Sequence, residues 1–562
     1  ENIEDHPAGN QKPRTFLWLY PDSSLGTGVS RQRLRWWGED PDGVVKGYLF
    51  SFKVFPNPVT RIPTPDTLRY TWVMRNDTTI LFPLDTLFRR FTVLVRAVDN
   101  SFRGLSNQSI VRMHPFPYWD QNDNGAFDGS DVQLPDLPAS IDPTGAVQTF
   151  PVRNTLPSIV FAANPNDASI VLKQPDTTFT AITFSWKATD PDGDNTLSNY
   201  RIALNDTSNP NNWVNIPIRD TVVTLVVPRA RSDSATSVVA ADLYSGRFLG
   251  RRRIGQINGL RLDALNIFYV QVKDIAGEYS ANTIRDTWFV RKPRGRLLLM
   301  SDYSYTQFVG PPIQLYLSPL AEVSGGIFQT VDVLDMGRGV TSEQKGLGRT
   351  GSLVPPFFDP ALIHSFLLYD YVLWYTDVVP SLGVAQQTIF TYLQNGGKVL
   401  FATSFRESYD SRGALKDFAP VDSICTEDLV RNRPLPSRGS PSVNGNYKVY
   451  PDSTDPNNIY PLLATNFPPF QHTVFMRPVY KRSDARYLYH LQPDTANTFP
   501  IQYIGMPNIA VVDGQRTIVF FGLPLHILDN RTVGNPRGIV ALYERVFTSE
   551  FDQNHRIDRR RF

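Results

Sequence analysis

The sequence predicts a multidomain β plus α/β protein: two antiparallel β-sandwiches followed by an open, mostly parallel, doubly wound α/β domain. One order of motifs occurs twice. A Trp, an Asp-Pro-Asp-Gly turn, a Tyr and a late apolar strand closed by Asp fall at Trp36, Asp40–Gly43, Tyr48 and Val95–Asp99, and again at Trp186, Asp190–Gly193, Tyr200 and Val270–Asp274. The Trp and the turn are both displaced by 150 residues (36 to 186, 40 to 190), which marks an internal duplication. An acidic stretch, Asp120–Asp131, lies between the copies. After Lys292 the pattern changes to short continuous apolar runs alternating with helical stretches.

Length and composition bound the function before any motif does. At 562 residues the chain exceeds one hydrophobic core, so three or four domains are expected. With 41% hydrophobic, 12% aromatic and 20% charged residues it carries apolar surface enough for packed cores. A net charge of +2 gives no broad field for nucleic acid or an anionic membrane, and the local runs Arg251–Arg253 and Arg559–Arg561 read as solvated surface. The single cysteine, Cys425, excludes an intramolecular disulfide and reads as a small buried side chain. No apolar run is long enough for a transmembrane helix, since even Ser365–Val379 is broken by Asp370 and Asp377. The chain opens at Glu1 rather than Met, so a processed start is expected, with a targeting segment or lipid anchor upstream.

Residues 1–115 form the first sandwich. Thr15–Tyr20, Arg33–Trp37, Gly47–Val54, Thr79–Pro83 and Arg90–Val98 are β-branched and aromatic runs separated by Pro and Asp-Gly signals. The repeated Trp and Tyr are expected to face one core across a turn set by Pro and Gly. Residues 151–291 repeat the unit, with an insertion at Arg229–Gln256 where Ser, Ala and Arg replace the strand pattern, read as a long loop. These motifs resemble the fibronectin type III-like domains of bacterial surface proteins. The resemblance implies a sandwich and carries no catalytic residues. The acidic turns Asp40/Asp42 and Asp190/Asp192/Asp194 read as plain turns or as calcium ligands.

Residues 116–150 read as a linker with a calcium-type loop. Asp120, Asn122, Asn124, Asp128 and Asp131 stand at positions 1, 3, 5, 9 and 12, Ala126 supplies position 7 through its backbone, and Gly125 stands at the sharp turn. Position 12 is Asp rather than Glu, and Pro115, Pro117, Pro135 and Pro138 argue against two long flanking helices. The stretch resembles the loops of dockerin and thrombospondin type-3 repeats, which implies a structural Ca²⁺. The alternative is an Asx-rich turn.

Residues 292–562 read as the α/β domain. Arg296–Met300, Thr330–Leu334, Tyr371–Tyr375, Lys398–Ala402 and Thr517–Phe521 are its buried strands. Val384–Leu393 is a helix stopped by Asn395-Gly396-Gly397, and Gly538–Phe551 is the closing helix. A long insertion at 405–499 is expected to cover or build a binding surface. The order resembles a flavodoxin-like or class I glutamine-amidotransferase-like domain, with Tyr371–Asp377 and Gly396–Ala402 matching the stretch that leads to the nucleophile strand. The turn Ala402-Thr403-Ser404-Phe405-Arg406 departs from that family, lacking the Cys and the flanking glycines of its elbow.

Ligands of open α/β sheets lie beyond the carboxyl ends of the strands, where Asp302, Asp335, Asp377 and Ser404 stand here, as crevice residues or as caps of the next turn. Ser404 with His526 and either Asp377 or Asp529 is an order that permits nucleophilic hydrolysis. The remaining His6, His114, His364, His472, His490 and His555 lack metal-ligand spacing, so no zinc is expected. Gly337-Arg-Gly339 with Gly346-Leu-Gly348 lacks the strand–Gly–helix context of a nucleotide site. The function expected is that of a non-catalytic exported surface or envelope protein, a structural or binding module for other envelope proteins, copies of itself or glycans. The alternative is a cell-surface hydrolase or amidotransferase relative acting through the C-terminal domain.

Overall fold

The computed structural model describes the chain apart from residues 1–8, 20–30, 56–67, 82–88, 104, 153, 163–174, 247–251, 306–310, 338–358, 378–379, 406–413, 425–441, 445–447, 454–458, 465–472, 476, 494–504, 529–536 and 552–562. Two compact units result, one of residues 1–160, 188–201 and 270–284, the other of 161–187, 202–269 and 285–562. No helix among the described residues is long and apolar enough to cross a membrane.

The first unit begins with β1 (Arg14–Leu19), β2 (Arg31–Glu39), β3 (Val45–Phe55), β4 (Arg69–Val73), β5 (Asp77–Leu81), β6 (Arg89–Asp99) and β7 (Ile110–Arg112). β8 (Tyr118–Trp119), β9 (Val132–Gln133), α1 (Leu137–Ser140) and β10 (Ala146–Val152) follow. A three-stranded sheet β1-β2-β5 packs on a seven-stranded sheet β10-β6-β3-β4-β7-β8-β9. Strand alternation decides what each face buries. Phe91, Val93, Val95 and Ala97 of β6 join Leu34, Trp36, Tyr48 and Ile80 in the core between the sheets. Leu94 and Val98 point the other way and, with Leu49, Tyr70 and Trp72, pack against Leu134, Leu137 and Ile141.

Residues 116–150 are therefore not a free linker. β8 and β9 extend the first sheet, β10 begins within the segment, and Leu134, Leu137 and Ile141 cap the sheet's second face. A few apolar side chains scattered among prolines and acids carry no periodicity from which this could be read.

The second copy comprises β11 (Ser158–Phe161), β12 (Thr177–Thr178), β13 (Ala181–Thr189), β14 (Leu197–Leu204), β15 (Val214–Pro217), β16 (Val222–Val226), α2 (Arg229–Ser234), β17 (Val238–Ser245), β18 (Arg252–Arg261), β19 (Ala264–Asp274) and β20 (Ile284–Val290). Its sheets are β11-β13-β16-β17-β18 and β12-β20-β19-β14-β15. Between them Phe184 stacks on Phe268 at 4.0 Å and meets Trp288 edge-on at 5.3 Å. The loop expected at Arg229–Gln256 is instead a helix and most of a hairpin. Val239, Ala241 and Leu243 alternate into the core, while Arg252 pairs with Asp220 and Arg253 with Asp242. Those two arginines, expected as solvated surface, neutralise buried acids, and their pairing hid a strand behind a basic composition.

The C-terminal part holds β21 (Leu297–Ser301), α3 (Ile313–Ala321), β22 (Val331–Asp335), α4 (Pro360–Phe366), β23 (Tyr371–Tyr375), α5 (Leu382–Gln394) and β24 (Lys398–Ala402). Then come β25 (Val421–Ile424), β26 (Ser442–Asn444), β27 (Lys448–Pro451), β28 (Leu463–Ala464), β29 (Thr473–Phe475), β30 (Val479–Lys481), β31 (Arg486–Leu491), β32 (Asn508–Val512), β33 (Ile518–Phe521) and α6 (Gly538–Arg545). A nine-stranded sheet runs β22-β21-β23-β24-β33-β32-β31-β27-β28. Its first five strands pair in parallel. Leu297, Leu299 and Leu373 share a core with Tyr316 of α3 and Leu542 of α6, while Leu298, Val372 and Trp374 share another with Phe366 of α4 and Ile389 of α5. The segment 405–499, expected as an insertion that covers or builds a binding surface, contributes β27, β28 and β31 to the sheet. The closing helix ends at Arg545 and continues as a π-turn, Val546–Glu550.

Candidate functional site

The loop between β8 and β9 is built from its own Asx turns. Gly125 at φ +81° takes the left-handed turn that a side chain would strain. Asp120, 1% exposed, accepts from the amides of Asn124 (3.2 Å) and Gly125 (3.0 Å) and from Arg112 Nε (3.0 Å). Asn122 Oδ1 accepts from the Asn124 amide at 3.1 Å, and Asn124 Oδ1 from the Ala126 amide at 2.8 Å. Asp131 accepts from the Gln121 and Asp128 amides, each at 2.9 Å. Asn122 and Asn124 both aim their Nδ2 at Asp128 Oδ2, at 2.9 and 2.6 Å. The Ser130 hydroxyl and amide, with these two side chains, hold the Asp128 carboxyl well below the usual carboxylate range. From the sandwich, Arg69 grips Asp123 through two bonds of 2.8 Å and Arg112 reaches it at 3.1 Å.

As the side chains stand, no group of three or more His, Cys, Asp or Glu among the described residues could hold a metal ion. The loop fits a hard cation in donor type: its five side chains end in oxygen, and a half-turn of the Asn122 and Asn124 amides exchanges nitrogen for oxygen at the point where both now meet Asp128.

The duplicated motifs meet in space as a clamp on the segment that enters each sandwich. In the first copy Asn10 Nδ2 donates to Asp99 Oδ2 at 2.9 Å and the Gln11 amide to Asp42 Oδ2 at 2.9 Å. In the second, Asn154 Nδ2 donates to Asp274 Oδ2 at 2.6 Å and the Thr155 amide to Asp192 Oδ2 at 2.8 Å. The turn acids and the strand-end acids thus close on equivalent chain segments. Asp190 Oδ1 accepts from the Asp192 amide at 2.8 Å, a bond made within the turn that Gly193 completes at φ +119°. Burial chiefly, with the Asp192 and Asp274 carboxylates adding to it, raises the Asp190 pKa. The sequence reading missed Asn10 and Asn154. A signal was present, for each opens an Asn-x-x-Pro segment, ending at Pro13 and Pro157, just before a first strand.

At the strand ends of the parallel sheet, Asp302 accepts from Trp374 Nε1 (3.1 Å) and from the amide and hydroxyl of Ser381 (2.6 and 2.7 Å), fixing the start of α5. Asp335 accepts from the Gly337 amide at 3.0 Å and from the Tyr305 hydroxyl. Asp377 accepts from the Ser304 amide and hydroxyl, both at 3.3 Å. Each of these acids ties down a neighbouring turn. Ser404 is buried, next to Thr403, whose hydroxyl donates to the Phe521 carbonyl at 2.6 Å. His526 shares a 3.2 Å hydrogen bond with the Tyr316 hydroxyl through Nδ1. Tyr316 stacks on Tyr375 at 4.1 Å, and burial pushes its phenol far above the ordinary range. Cys425, Asp529, Gly339, Gly346, Gly348, His6, His472, His555 and Arg559–Arg561 lie outside the described residues.

A cavity of about 660 Å³ opens in the first sandwich, with Trp36, Phe50 and Ile80 as apolar lining and Arg69, Arg75 and Arg112 as its cations. No motif marked it, because its wall is assembled from strands distant in sequence.

No protein-family profile matches the chain, and no curated protein matches it. Among solved structures the chain is similar to the fibronectin(III)-like modules of CbhA from Clostridium thermocellum, at 10% identity and a TM-score of 0.13, over 49% of this chain and 94% of that one. It is also similar to the central fibronectin-III array of RIM-binding protein, at 12% identity and a TM-score of 0.12, over 50% of this chain and 71% of that one. At these scores the likenesses carry no functional argument.

Proposed function

We propose that the chain is a non-catalytic exported surface or envelope protein, a structural or binding module whose partners are other envelope proteins, copies of itself or glycans. The observation that carries this reading is the clamp, repeated with the same donors and acceptors at the entry of both sandwiches. A fibronectin type III-like domain so fastened to its incoming chain suits a load-bearing array. Calcium at the joint belongs to the same reading: Asp120, Asn122, Asn124, Asp128 and Asp131 would hold it by side chain and Ala126 by its backbone. Bound there, Ca²⁺ would cross-link the loop and supply no chemistry beyond that.

The C-terminal domain is read as a flavodoxin-like, class I glutamine-amidotransferase-like scaffold without that family's activity. What supports this is the parallel strand order with helices on both faces, a strand-end turn without Cys, and strand-end acids committed to neighbouring turns. Two measurements test the reading. Thermal unfolding with Ca²⁺ and with chelator should show a calcium-dependent rise in Tm that Asp128→Asn removes. Glutaminase and esterase assays should show no turnover that depends on Ser404; a rate abolished by Ser404→Ala would overturn the non-catalytic reading.

A further inference from the structure

We propose that the open mouth of the first sandwich is a binding site for an acidic saccharide, a sugar that carries a carboxylate on its ring. This rests on the binding-module reading above and narrows its partner to one class of glycan, held by side chains of strands β2 to β7.

The mouth follows from the topology. Three strands, β1-β2-β5, lie over a sheet of seven, so part of the wider sheet's inner face stays open, and the cavity of about 660 Å³ is lined from both sheets there. That volume falls among small-molecule sites, about 300–1,000 Å³. Its floor is a row of rings. Phe50 packs on the core between the sheets, and Phe52, two residues further along β3, faces the same way. Trp36 stacks on Phe50 at 5.4 Å, and Phe52 continues the row while 47% exposed. An open ring beside two packed ones offers the C–H face of a sugar a flat apolar surface.

The facing bank is cationic. Arg69 and Arg112 stand directly opposite each other in the register of β4 and β7, a placement of like charges that is unfavourable unless compensated. Asp123 accepts from both, and Asp120 accepts from Arg112 Nε. Arg75 is different: exposed, it donates to the Thr78 hydroxyl at 2.9 Å and pairs with no carboxylate among the described residues. Three guanidiniums against two carboxylates leave one positive charge in excess, which suits a single carboxylate gripped by two parallel bonds. Gln108 lines the mouth from a left-handed backbone, φ +73°, held by its amide's 2.9 Å bond to the Trp72 carbonyl. Its side-chain amide and the Thr71 and Thr78 hydroxyls supply the neutral donors and acceptors that sugar hydroxyls require. A hydrocarbon would leave those groups unpaired, and a nucleic acid would bring more negative charge than one uncompensated cation meets.

The test is equilibrium dialysis of the full chain, in chelator, against digalacturonate and against the neutral galactose disaccharide of the same linkage. The acidic sugar should bind one to a chain, more weakly as salt rises, and the neutral one at least about tenfold less tightly. Arg75→Gln removes the unpaired charge at an exposed position; it should weaken digalacturonate about tenfold, leave the neutral sugar unaffected and leave Tm unchanged. Phe52→Ser should weaken both sugars. The proposal is overturned if the folded parent binds no digalacturonate, if the neutral sugar binds as tightly, if inorganic phosphate displaces digalacturonate at equal concentration, or if both variants keep the parent's affinity. Ser404-dependent turnover would sink the non-catalytic reading and leave this binding in place, whereas an inert chain that ignores digalacturonate sinks the saccharide site alone.

Discussion

The two copies make the same bonds in different surroundings. In the first, Asp42 lies in water and Asp40 is half-buried; in the second, Asp192 is fully enclosed and Asp190 nearly so. Each copy also leans on something the other lacks. The first is knotted to its own downstream chain through Asp142. That carboxylate accepts from the Thr15 amide (2.7 Å), the Thr144 amide and hydroxyl (2.9 and 3.0 Å) and the Gly145 amide (2.9 Å), while its backbone amide bonds Ala97. The second is fastened through Arg229 of α2, whose guanidinium donates to the carbonyls of Gly295 (2.6 Å) and Arg294 (3.1 Å) and to Asp233 (2.8 Å). Duplicated motifs fix local bonds, and the sequence around them decides how much solvent those bonds see and what anchors the whole.

Breaking the anchors should separate the copies most clearly. Arg229→Ala leaves buried carbonyls unpaired and should cost about 3 kcal/mol in urea unfolding. Arg229→Lys should recover little, because one ammonium cannot reach both carbonyls and the acid at once. Asp142→Asn should cost about 2 kcal/mol at pH 7. Burial alone raises the Asp142 pKa, but the bonds from Thr15, Gly145 and Thr144 outweigh it and lower the value. Its stabilisation is therefore present above the unfolded value and lost as pH falls through the lower folded one. The gap between Asp142→Asn and the parent should close below about pH 3.8. A widening gap in acid would contradict that sign.

The smallest effect is a difference between equivalent positions. Asp99→Ala loses bonds to Asn10 and Ser101. Asp274→Ala loses bonds to Asn154 and Glu278, and each change relieves like-charge crowding on the turn acid of its own copy, Asp40 or Asp190. Because Asp190 is the more enclosed of the two turn acids, the relief is larger there, and in chelator Asp99→Ala should be the costlier change, by about 1 kcal/mol. Equal costs would mean that the deeper burial of the second clamp has no energetic weight.

Much of this arrangement was legible. The sandwich character of both copies followed from Trp36 and Trp186, both buried, and from alternating apolar runs, because a strand that covers one core must repeat every second residue. The loop at Asp120–Asp131 could be located, since its Asx and Gly spacing is local chemistry. The strands β17 and β18 were not legible, because Arg252 and Arg253 read as basic surface until their partners are known, Asp220 ahead of the segment and Asp242 on β17 itself. Nor was the clamp, although both of its halves were in view. A turn acid and a strand-end acid at large separation reveal no common target until the chain is folded, and that target is an Asn together with the backbone amide after it, just ahead of the first strand of each copy.

The two-faced sheet of the first sandwich bears on where this module can be cut. A gene fragment stopped at residue 115 would strip Leu134, Leu137 and Ile141 from Tyr70, Trp72 and Val111 and remove β10 from the edge of β6. Such a fragment would expose an apolar sheet face and an unpaired strand together, a recipe for precipitation on expression. Cut after Val152 instead, the piece keeps its cover, its edge and the Asp142 knot. The transferable building block is therefore longer than the repeat that first reveals it.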